Sequence, residues 1–304
     1  MTNPLEGRIQ DYAERLLKMI LSRGNHLPRT YGFEYEFLPH RILHRRDKEA
    51  LDRYLVGRGY CWKDGTYESG WKRVVFEPGG QIEYLSPPLR ESQEGELKRV
   101  LDWIRSTNAD ILSELGIEYL GKGFLPGRYD APLLLEAPRY RKMHSRFMQV
   151  DRRGPDMMKG TAAIHLHAAV TTRDEIGAMY ARFCTMARSR ELGMSPERRS
   201  IWDCTDSCRC GLICAEAGSD PMDVLRCIVE STLKAVELNS GQVFQEMENT
   251  DFNDFLVHLT TMFTDVRINV KGGTVELRTP DSRPVEQFPS LWRSFLGGCC
   301  PSMT

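Results

Sequence analysis

Side chains with carboxylate or amide oxygens recur at two-residue spacing in two short segments of this chain. Glu34 and Glu36 form one pair, while Gln81 and Glu83 follow shortly after Glu77. Residues i and i+2 of a strand project from the same face, so each pair would share one surface. Ionised carboxylates crowded on a buried surface repel one another and persist only with compensating cations. Such oxygen ligands suit Mg²⁺, which also binds phosphates. On a solvent-facing strand the same spacing would be ordinary polar alternation.

Two later pairs have the same strand spacing. His165 and His167 would place two imidazoles on one face, and Glu276 and Arg278 would place a carboxylate beside a guanidinium. The alternative for the histidines is that one is packed and the other is exposed. The alternative for Glu276 and Arg278 is an ion pair between these two side chains that binds no ligand. By spacing alone, therefore, neither pair decides the chemistry.

The elements that would position these residues are predicted from apolar periodicity and from turn residues. Helices are predicted at 6–22, 91–115, 138–149, 173–190, 222–237, 252–262 and 284–296. Strands are predicted at 30–37, 72–76, 81–85, 117–121, 162–171 and 273–278. The turn at 77–80 predicts a hairpin, and the stretch 194–220 is interpreted as a functional loop. Because no repeat or linker is evident, we expect a single α+β domain over residues 1–304.

The charge balance restricts the class of partner. Lysine and arginine number 41 against 42 acidic residues, which gives a formal net charge of −1. We therefore expect no binding to nucleic acid or to membrane, and any anionic ligand must be held by locally placed arginines. The first residues resemble neither a signal peptide nor a membrane span, so the sequence predicts a cytoplasmic location.

Four of the nine cysteines lie close together, at Cys204, Cys208, Cys210 and Cys214. A zinc or iron–sulfur site is one interpretation of this cluster. However, the spacing lacks the paired C-x-x-C knuckles of structural zinc sites. Reduced thiols in a cytosolic loop are the interpretation that the spacing favours.

Taken in order along the chain, several motifs resemble those of the glutamate–cysteine ligase family of plant type, which is also seen in many bacteria. They are G-x-E-x-E at 32–36, E-P-G-G-Q-x-E at 77–83, R-Y-x-x-M at 139–143, M-M-x-x-T at 157–161, H-L-T-T-x-F-x-x-V-R at 258–267 and E-x-R-x-x-D at 276–281. The motif R-S-x-I-W is matched to 199–202 with one residue missing, and D-x-x-R-x-G is matched to 206–211.

This resemblance implies the fold of the catalytic domain of glutamine synthetase and guanidino kinases, in which a curved, mainly antiparallel sheet covered by helices forms a funnel. It also implies an ATP-dependent reaction in glutathione biosynthesis. A side-chain carboxylate, that of glutamate by default, becomes an acyl phosphate and is then coupled to an amine such as cysteine. ATP and two or three Mg²⁺ ions would be required.

The roles implied by the resemblance fall into four groups. The proposed metal ligands are Glu34, Glu36, Glu77, Glu83, His165 and Glu276. Gln81, Arg139 and His165 would contact the nucleotide. Arg267 and Arg278 would steady the transferred phosphoryl group, because a guanidinium fork donates paired hydrogen bonds. Arg199, Arg209 and Trp202 would bind the amino-acid substrate. For each arginine, a surface ion pair is the alternative.

One departure leaves the substrates open. Where the family usually reads Q-V-N-x-D, this chain has His165, Leu166, His167, Ala168 and Ala169. A related γ-glutamyl ligase, or another ligase of a specialised pathway, is therefore an alternative, and so is a catalytically silent ATP-binding regulatory protein. A redox or iron–sulfur protein based on the cysteines is a third alternative. A homo-oligomer is also left open.

Overall fold

The computed structural model describes residues 4–24 and 28–299 of the chain. These ranges contain ten α-helices and two short 3₁₀ turns, at Phe244–Glu246 and Val285–Gln287. The helices are α1 Pro4–Gly24, α2 Arg45–Gly57, α3 Glu94–Leu115, α4 Pro138–Val150, α5 Asp156–Lys159, α6 Arg173–Ala187, α7 Pro196–Asp203, α8 Pro221–Lys234, α9 Phe252–Leu259 and α10 Phe288–Cys299.

The strands form one large antiparallel sheet and one small parallel pair. They are β1 Tyr31–Pro39, β2 Cys61–Lys63, β3 Thr66–Ser69, β4 Lys72–Phe76, β5 Ile82–Leu85, β6 Tyr119–Leu120, β7 Ile164–Ala169, β8 Cys210–Gly211, β9 Phe263–Thr264, β10 Val266–Asn269 and β11 Thr274–Leu277. The large sheet has the order β10-β11-β7-β1-β5-β4-β3-β2, with β6 paired to the end of β1, while β8 pairs with β9. The predicted class, α+β with a mainly antiparallel sheet, is confirmed.

The central strand β1 has two chemically different faces. Phe33 and Tyr35 are buried on one face, where their rings pack against Phe288 of α10 with centroid distances of 4.5 and 5.1 Å. Glu34 and Glu36 project from the opposite face. A slip of one residue would move the aromatic rings out of the core, so the aromatic face fixes where both carboxylates point.

The turn between β4 and β5 is held against α5. A Cβ on Gly79 would lie 2.5 Å from the Cα of Lys159, so only glycine permits this approach. Gly80 has φ +87°, a left-handed conformation that also favours glycine. The Gln81 side chain completes the junction, since its amide donates to the carbonyls of Met158 and Thr161.

Several elements differ from the sequence prediction. Helix α2 was missed because its sequence is strongly charged and only Asp47, Leu51 and Leu55 are buried. The short strands β2, β3 and β10 were missed as well. The segment 194–220 is not only a loop, because it contains α7 and β8.

The cysteine prediction needs a correction. Cys214 forms a disulfide with Cys227 of α8, with 5.7 Å between the two Cα atoms, so the cluster is not simply a set of reduced thiols. Cys204, Cys208 and Cys210 are unpaired. Within the described residues, the side-chain groups that could hold a metal ion contain no cysteine.

Candidate active site

A cavity of about 240 Å³ opens on the carboxylate face of the large sheet. Its wall combines acidic, basic, sulfur-containing and aromatic side chains. The lining residues are Glu34, Glu36, Glu77, Pro78, Gln81, Glu83, Leu85, Arg139, Tyr140, Met143, Met157, Met158, Thr161, His165, Arg198, Trp202, Thr260, Phe263, Arg267 and Arg278. Residues far apart in the chain therefore meet in one place.

The pairing of β1, β7 and β11 brings one set of ligand atoms together. Glu34 lies opposite His165, and Glu276 lies opposite His167. His165 Nδ1 donates to Glu34 Oε2 over 2.8 Å and lies 3.8 Å from Glu276 Oε1. Glu34, His165 and Glu276 each offer one ligand atom, and these atoms all lie within 4.8 Å of one another.

A second set forms across β1 and β5. Glu36 lies opposite Glu83 in the antiparallel register. His165 Nε2 lies 3.6 Å from Glu36 Oε1, so this imidazole stands between both sets. Glu36, Glu83 and His165 again offer atoms within 4.8 Å of one another. Glu77 lines the same cavity at the end of β4.

Mutual repulsion is visible in two of these carboxylates. Burial, together with the charges of Glu36 and Glu34, raises the pKa of Glu77 to about 8. Burial and the neighbouring charges of Glu34, Glu77 and Glu36 raise the pKa of Glu83 well above its usual value. Both groups would ionise more readily beside a cation, which is the behaviour expected of metal ligands.

Glu276 has the opposite environment. Burial alone would raise its pKa, but the charges of Arg267 and Arg278 outweigh burial and lower this pKa to about 2. Arg267 Nε donates to Glu276 Oε2 over 2.8 Å, and Arg278 Nη1 donates to Glu276 Oε1 over 2.6 Å. Glu276 is fully buried. It is therefore a fixed anion clamped between two guanidinium groups.

The two histidines also differ. Burial and the charge of Arg278 lower the pKa of His165. Burial opposes the charge of His167, but the carboxylates of Glu276 and Glu34 outweigh it and raise this pKa. His167 Nε2 is buried and lies 3.4 Å from Glu34 Oε1, which is an ion-pair distance without hydrogen-bond geometry. His167 therefore places positive charge beside Glu34.

The donor set fits a divalent cation. Carboxylate oxygens and an imidazole converge from four strands, and burial together with neighbouring charges raises the pKa values of two carboxyl groups. Within the described residues, Arg267 and Arg278 are already engaged by Glu276. Glu34 lies beside two imidazoles, whereas Glu36, Glu77 and Glu83 have no guanidinium partner in the described part of the chain, and a metal ion would supply that positive charge.

The other predicted contact residues also line the cavity, but they differ in exposure and in whether their side chains are already hydrogen-bonded. Gln81 is 2% exposed, and its side-chain amide forms hydrogen bonds with backbone groups. One of these bonds is donated by the Gly79 N–H to the Gln81 amide oxygen, so Gln81 holds the turn in place. Arg139 lies at the exposed beginning of α4, with its guanidinium 5.2 Å from the Tyr140 ring. Trp202 donates from Nε1 to the carbonyl of Phe263 over 3.3 Å.

Two predicted substrate-binding arginines lie elsewhere. Arg199 pairs with Asp265, with 2.6 Å between Nη2 and Oδ2. Arg209 is fully buried, pairs with Asp206 over 3.4 Å and donates to Thr261. Neither arginine belongs to the cavity lining within the described residues. The sequence predicted that both arginines bind the amino-acid substrate. In the structure, their ion pairs with Asp265 and Asp206 connect the segment between α7 and β9.

Arg198 is the lining arginine that the sequence prediction missed. It is 1% exposed, its guanidinium lies 4.7 Å from the Trp202 ring, and it pairs with Asp281 over 3.3 Å. Its Nη groups also donate to backbone carbonyls after β11. The sequence could have indicated this residue. If the motif R-S-x-I-W is aligned on Trp202 without assuming a missing residue, its arginine falls on Arg198, four residues before Trp202, and not on Arg199.

A second, apolar pocket adjoins the cavity. It measures about 290 Å³ and shares Thr260 and Arg267 with the first. Its remaining lining residues come from α1, α9 and the β10 edge of the sheet: Met19, Leu256, Leu259, Ile268, Asn269, Val270 and Lys271. A ligand that reaches past Arg267 would therefore leave a charged environment for an apolar one.

An acidic cavity with convergent arginines on a sheet face is typical of enzymes that handle phosphoryl groups with divalent cations. The sequence comparison defines the family. The chain belongs to glutamate-cysteine ligase family 2 (GCS2), whose sequence model matches residues 30–191, more than half of the chain. The resemblance drawn from the motifs is thereby confirmed.

Curated relatives include plant glutamate–cysteine ligases. The chloroplastic glutamate–cysteine ligase of Nicotiana tabacum is 25% identical over 267 residues, and that of Arabidopsis thaliana is 24% identical over 267 residues. Each alignment covers 75% of this chain and 50% of the relative. The chain thus spans about half the length of these curated relatives.

A solved structure with a similar fold is a bifunctional glutathione synthetase from Pasteurella multocida. The TM-score is 0.46 at 10% identity, and the match covers 97% of this chain and 41% of the other. This likeness is too distant to carry an argument about the site.

The prediction of a cytoplasmic location is contradicted, because the curated relatives are chloroplastic proteins. We therefore withdraw it. Among helices of residues 4–24 and 28–299, none has the length and apolar character needed to cross a bilayer.

Burial of Glu77 among other carboxylates predicts a pH dependence of stability. Between pH 5 and pH 8 the unfolded chain has Glu77 ionised, whereas the folded protein without metal retains its proton, so stability falls as pH rises through this window. In the presence of a chelator, the free energy of unfolding of Glu77→Gln should fall less between pH 5 and pH 8 than that of the wild type. The difference should be at least about 1.4 kcal/mol, the equivalent of one pKa unit. Urea unfolding at pH 5 and pH 8 measures it.

The control is the exposed residue Glu118, whose replacement by glutamine should leave the fall unchanged. Equal falls for the wild type and Glu77→Gln would contradict the account of a strained carboxylate at Glu77.

Proposed function

We propose that this chain is an ATP-dependent carboxylate–amine ligase. The observation that supports it best is the convergence of Glu34, Glu36, Glu83 and Arg278 in the lining of one cavity. The buried Glu276 places a carboxylate oxygen within 4.8 Å of the ligand atoms of Glu34 and His165. Family membership supports amide-bond formation, and the names of the relatives suggest glutamate and cysteine as substrates within glutathione biosynthesis. We further propose that residues 1–304 act as one ligase domain.

The proposed reaction has two steps. A carboxylate oxygen of the donor substrate attacks the γ-phosphorus of ATP, the bond to the β-phosphate oxygen breaks, and ADP leaves. The amine nitrogen then attacks the carbonyl carbon of the acyl phosphate, the C–O bond to phosphate breaks, and inorganic phosphate leaves. The nitrogen loses its extra proton to solvent. Phosphorylation is needed because an ionised carboxylate otherwise offers no leaving group.

The carboxylate groups on the sheet would hold the metal ions. The groups Glu34, His165 and Glu276, and Glu36, Glu83 and His165, share one imidazole. Because His165 Nδ1 donates to Glu34, its free Nε2 could ligate only the ion beside Glu36 and Glu83, and a second Mg²⁺ would be held by the carboxylates of Glu34 and Glu276. When bound, Mg²⁺ neutralises phosphate charge and orients phosphate oxygens for in-line transfer.

The arginines on β10 and β11 act on the phosphoryl group. Arg267 and Arg278 are oriented by their hydrogen bonds to Glu276, so little side-chain freedom remains to be lost when a phosphate binds. Each guanidinium retains further N–H donors beyond those used by Glu276. Arg278 is the more enclosed of the two, with 14% of its side chain exposed against 26% for Arg267.

Apolar side chains in the cavity lining would keep water away from the reaction. They are Met143, Met157, Met158, Trp202 and Phe263. An acyl phosphate hydrolyses if water reaches its carbonyl carbon, so a dry wall favours attack by the amine. The adjoining apolar pocket past Arg267 offers a place for the nucleoside of ATP, with the phosphates directed toward the carboxylates.

The proposed function predicts loss of ATP turnover when single carboxylates become amides. Glu34→Gln and Glu77→Gln should each lower glutamate- and amine-dependent phosphate release at least 100-fold, because each removes a charge from the cluster that would hold metal. Both variants should remain folded, since glutamine retains the shape and an acceptor oxygen. A coupled phosphate-release assay with magnesium, ATP, glutamate and a panel of amines measures the effect.

Glu118→Gln is the matched control and should retain wild-type turnover, because Glu118 is exposed and lies outside the cavity lining. Retention of more than a tenth of the activity in Glu34→Gln would remove Glu34 from the proposed site. Absence of phosphate release by the wild type with every donor and amine would refute the ligase proposal.

The proposed position of the nucleoside can be tested separately. Val270→Trp fills the apolar pocket and should raise the KM for ATP at least tenfold, with a smaller change in the KM for glutamate. Val257→Trp, on α9 with the valine 68% exposed, is the control and should leave both constants unchanged. An unaltered KM for ATP in Val270→Trp would exclude this pocket as the nucleoside site.

A further inference from the structure

The cations around the cavity limit which substrates can bind. Within the described residues, four arginines line it: Arg139, Arg198, Arg267 and Arg278. An amino-acid pair such as glutamate and cysteine brings three carboxylates, of which one is consumed by the chemistry. Two carboxylates would then need positive partners in an acidic cavity.

Three of these four arginines are already engaged. Arg267 and Arg278 both bind Glu276, at 2.8 and 2.6 Å. In the proposed function their remaining donors serve the phosphoryl group. Arg198 is neutralised by Asp281 at 3.3 Å, and its Nη groups donate to carbonyl oxygens. Its Nε has no partner but is sealed from the cavity, because that atom is buried.

The imidazole of His165, which also lines the cavity, does not provide a binding site for a substrate carboxylate. His165 faces Glu34 at 2.8 Å, Glu36 at 3.6 Å and Glu276 at 3.8 Å, so an incoming carboxylate would meet three anions beside it. The nearby Arg199 is held by Asp265 and lies outside the lining.

Arg139 remains. Among the described residues it forms no hydrogen bond or ion pair, and its guanidinium lies 5.2 Å from the centre of the Tyr140 ring. It lies at the exposed start of α4, where its charge acts on Glu77. In the part of the chain that the structure describes, the cavity therefore offers a single uncommitted guanidinium, which would pair with the second carboxylate of the donor amino acid.

We infer that the amine substrate carries no carboxylate: it is a simple amine with an apolar or thioether-like body. This inference rests on the proposed ligase function. With the Mg²⁺ charge taken by the ATP phosphates, an acidic amine would place an unpaired carboxylate beside Glu34, Glu36, Glu77 and Glu83, which costs both desolvation and repulsion. An amine without a carboxylate enters as an ammonium ion that the same cluster attracts. It releases one proton to a carboxylate of the cluster before its nitrogen attacks the acyl phosphate.

The wall next to Arg139 suits such an amine. Met143 follows Arg139 by four residues on α4, so the two side chains share a helix face. Met143, Met157 and Met158 add flexible, polarizable surface, and Trp202 adds an aromatic one. This apolar wall gives the body of the amine a place to pack, and Met143, Met157 and Met158 carry no side-chain hydrogen-bond donor for a carboxylate.

Matched amine pairs test the inference with the wild-type protein. Phosphate release and amide product, identified by mass spectrometry, are measured with magnesium, ATP and saturating glutamate. The pairs are cysteine with cysteamine, alanine with ethylamine, and methionine with 3-(methylthio)propylamine. We expect the member without a carboxylate to have a kcat/KM at least tenfold higher in each pair.

Cysteine equal to or better than cysteamine would overturn the inference while leaving the ligase function intact. Absence of phosphate release with all six amines and with alternative donors would instead refute the ligase function, and the inference with it. The two failures are therefore distinguishable.

Arg139→Gln assigns the remaining guanidinium. Because Arg139 is exposed, this variant should fold normally, and it should raise the KM for glutamate at least tenfold without changing the cysteamine-to-cysteine ratio. Arg141→Gln, two residues along α4 and outside the cavity lining, is the control and should behave as the wild type. A raised KM for the amino-acid amine, with that for glutamate unchanged, would show that Arg139 binds the amine instead and would contradict the inference.

Discussion

Repulsion between carboxylates that the sheet forces together is the constraint on which the site depends. The register places Glu36 opposite Glu83 and Glu34 beside His165, on a surface that cannot hydrate them all fully. Glu276 is relieved by Arg267 and Arg278, whereas Glu77 and Glu83 respond with raised pKa values. Part of the cluster is thus satisfied by protein, and the rest would be satisfied by divalent cations and their phosphate ligands.

The remainder of the fold holds this unfavourable arrangement in place. The buried aromatic face of β1 packs on α10, so the strand cannot slip or rotate to release its carboxylates. Gly79 and Gln81 lock the hairpin turn that carries Glu77 against α5. Such strain at a functional site is offset by packing elsewhere, and here the offset lies on the opposite face of the same strand.

Much of this could be predicted from the sequence, and the limits have physical reasons. Two-residue spacing on strands gave the carboxylate faces, because side-chain alternation is local. Which arginines reach the cavity is decided by tertiary contacts: Arg199 and Arg209 are captured by Asp265 and Asp206, while Arg198 reaches the lining. The pairing of Cys214 with a cysteine thirteen residues away also depends on packing that spacing does not encode.

The central claim is most directly tested by anomalous diffraction from crystals of the protein soaked with Mn²⁺ in place of Mg²⁺. We predict anomalous density within the group of Glu34, His165 and Glu276, and within that of Glu36, Glu83 and His165. Crystals saturated with Mn²⁺ that showed no density in either group, or density only at the outer surface, would contradict the claim that these carboxylates form a cation site.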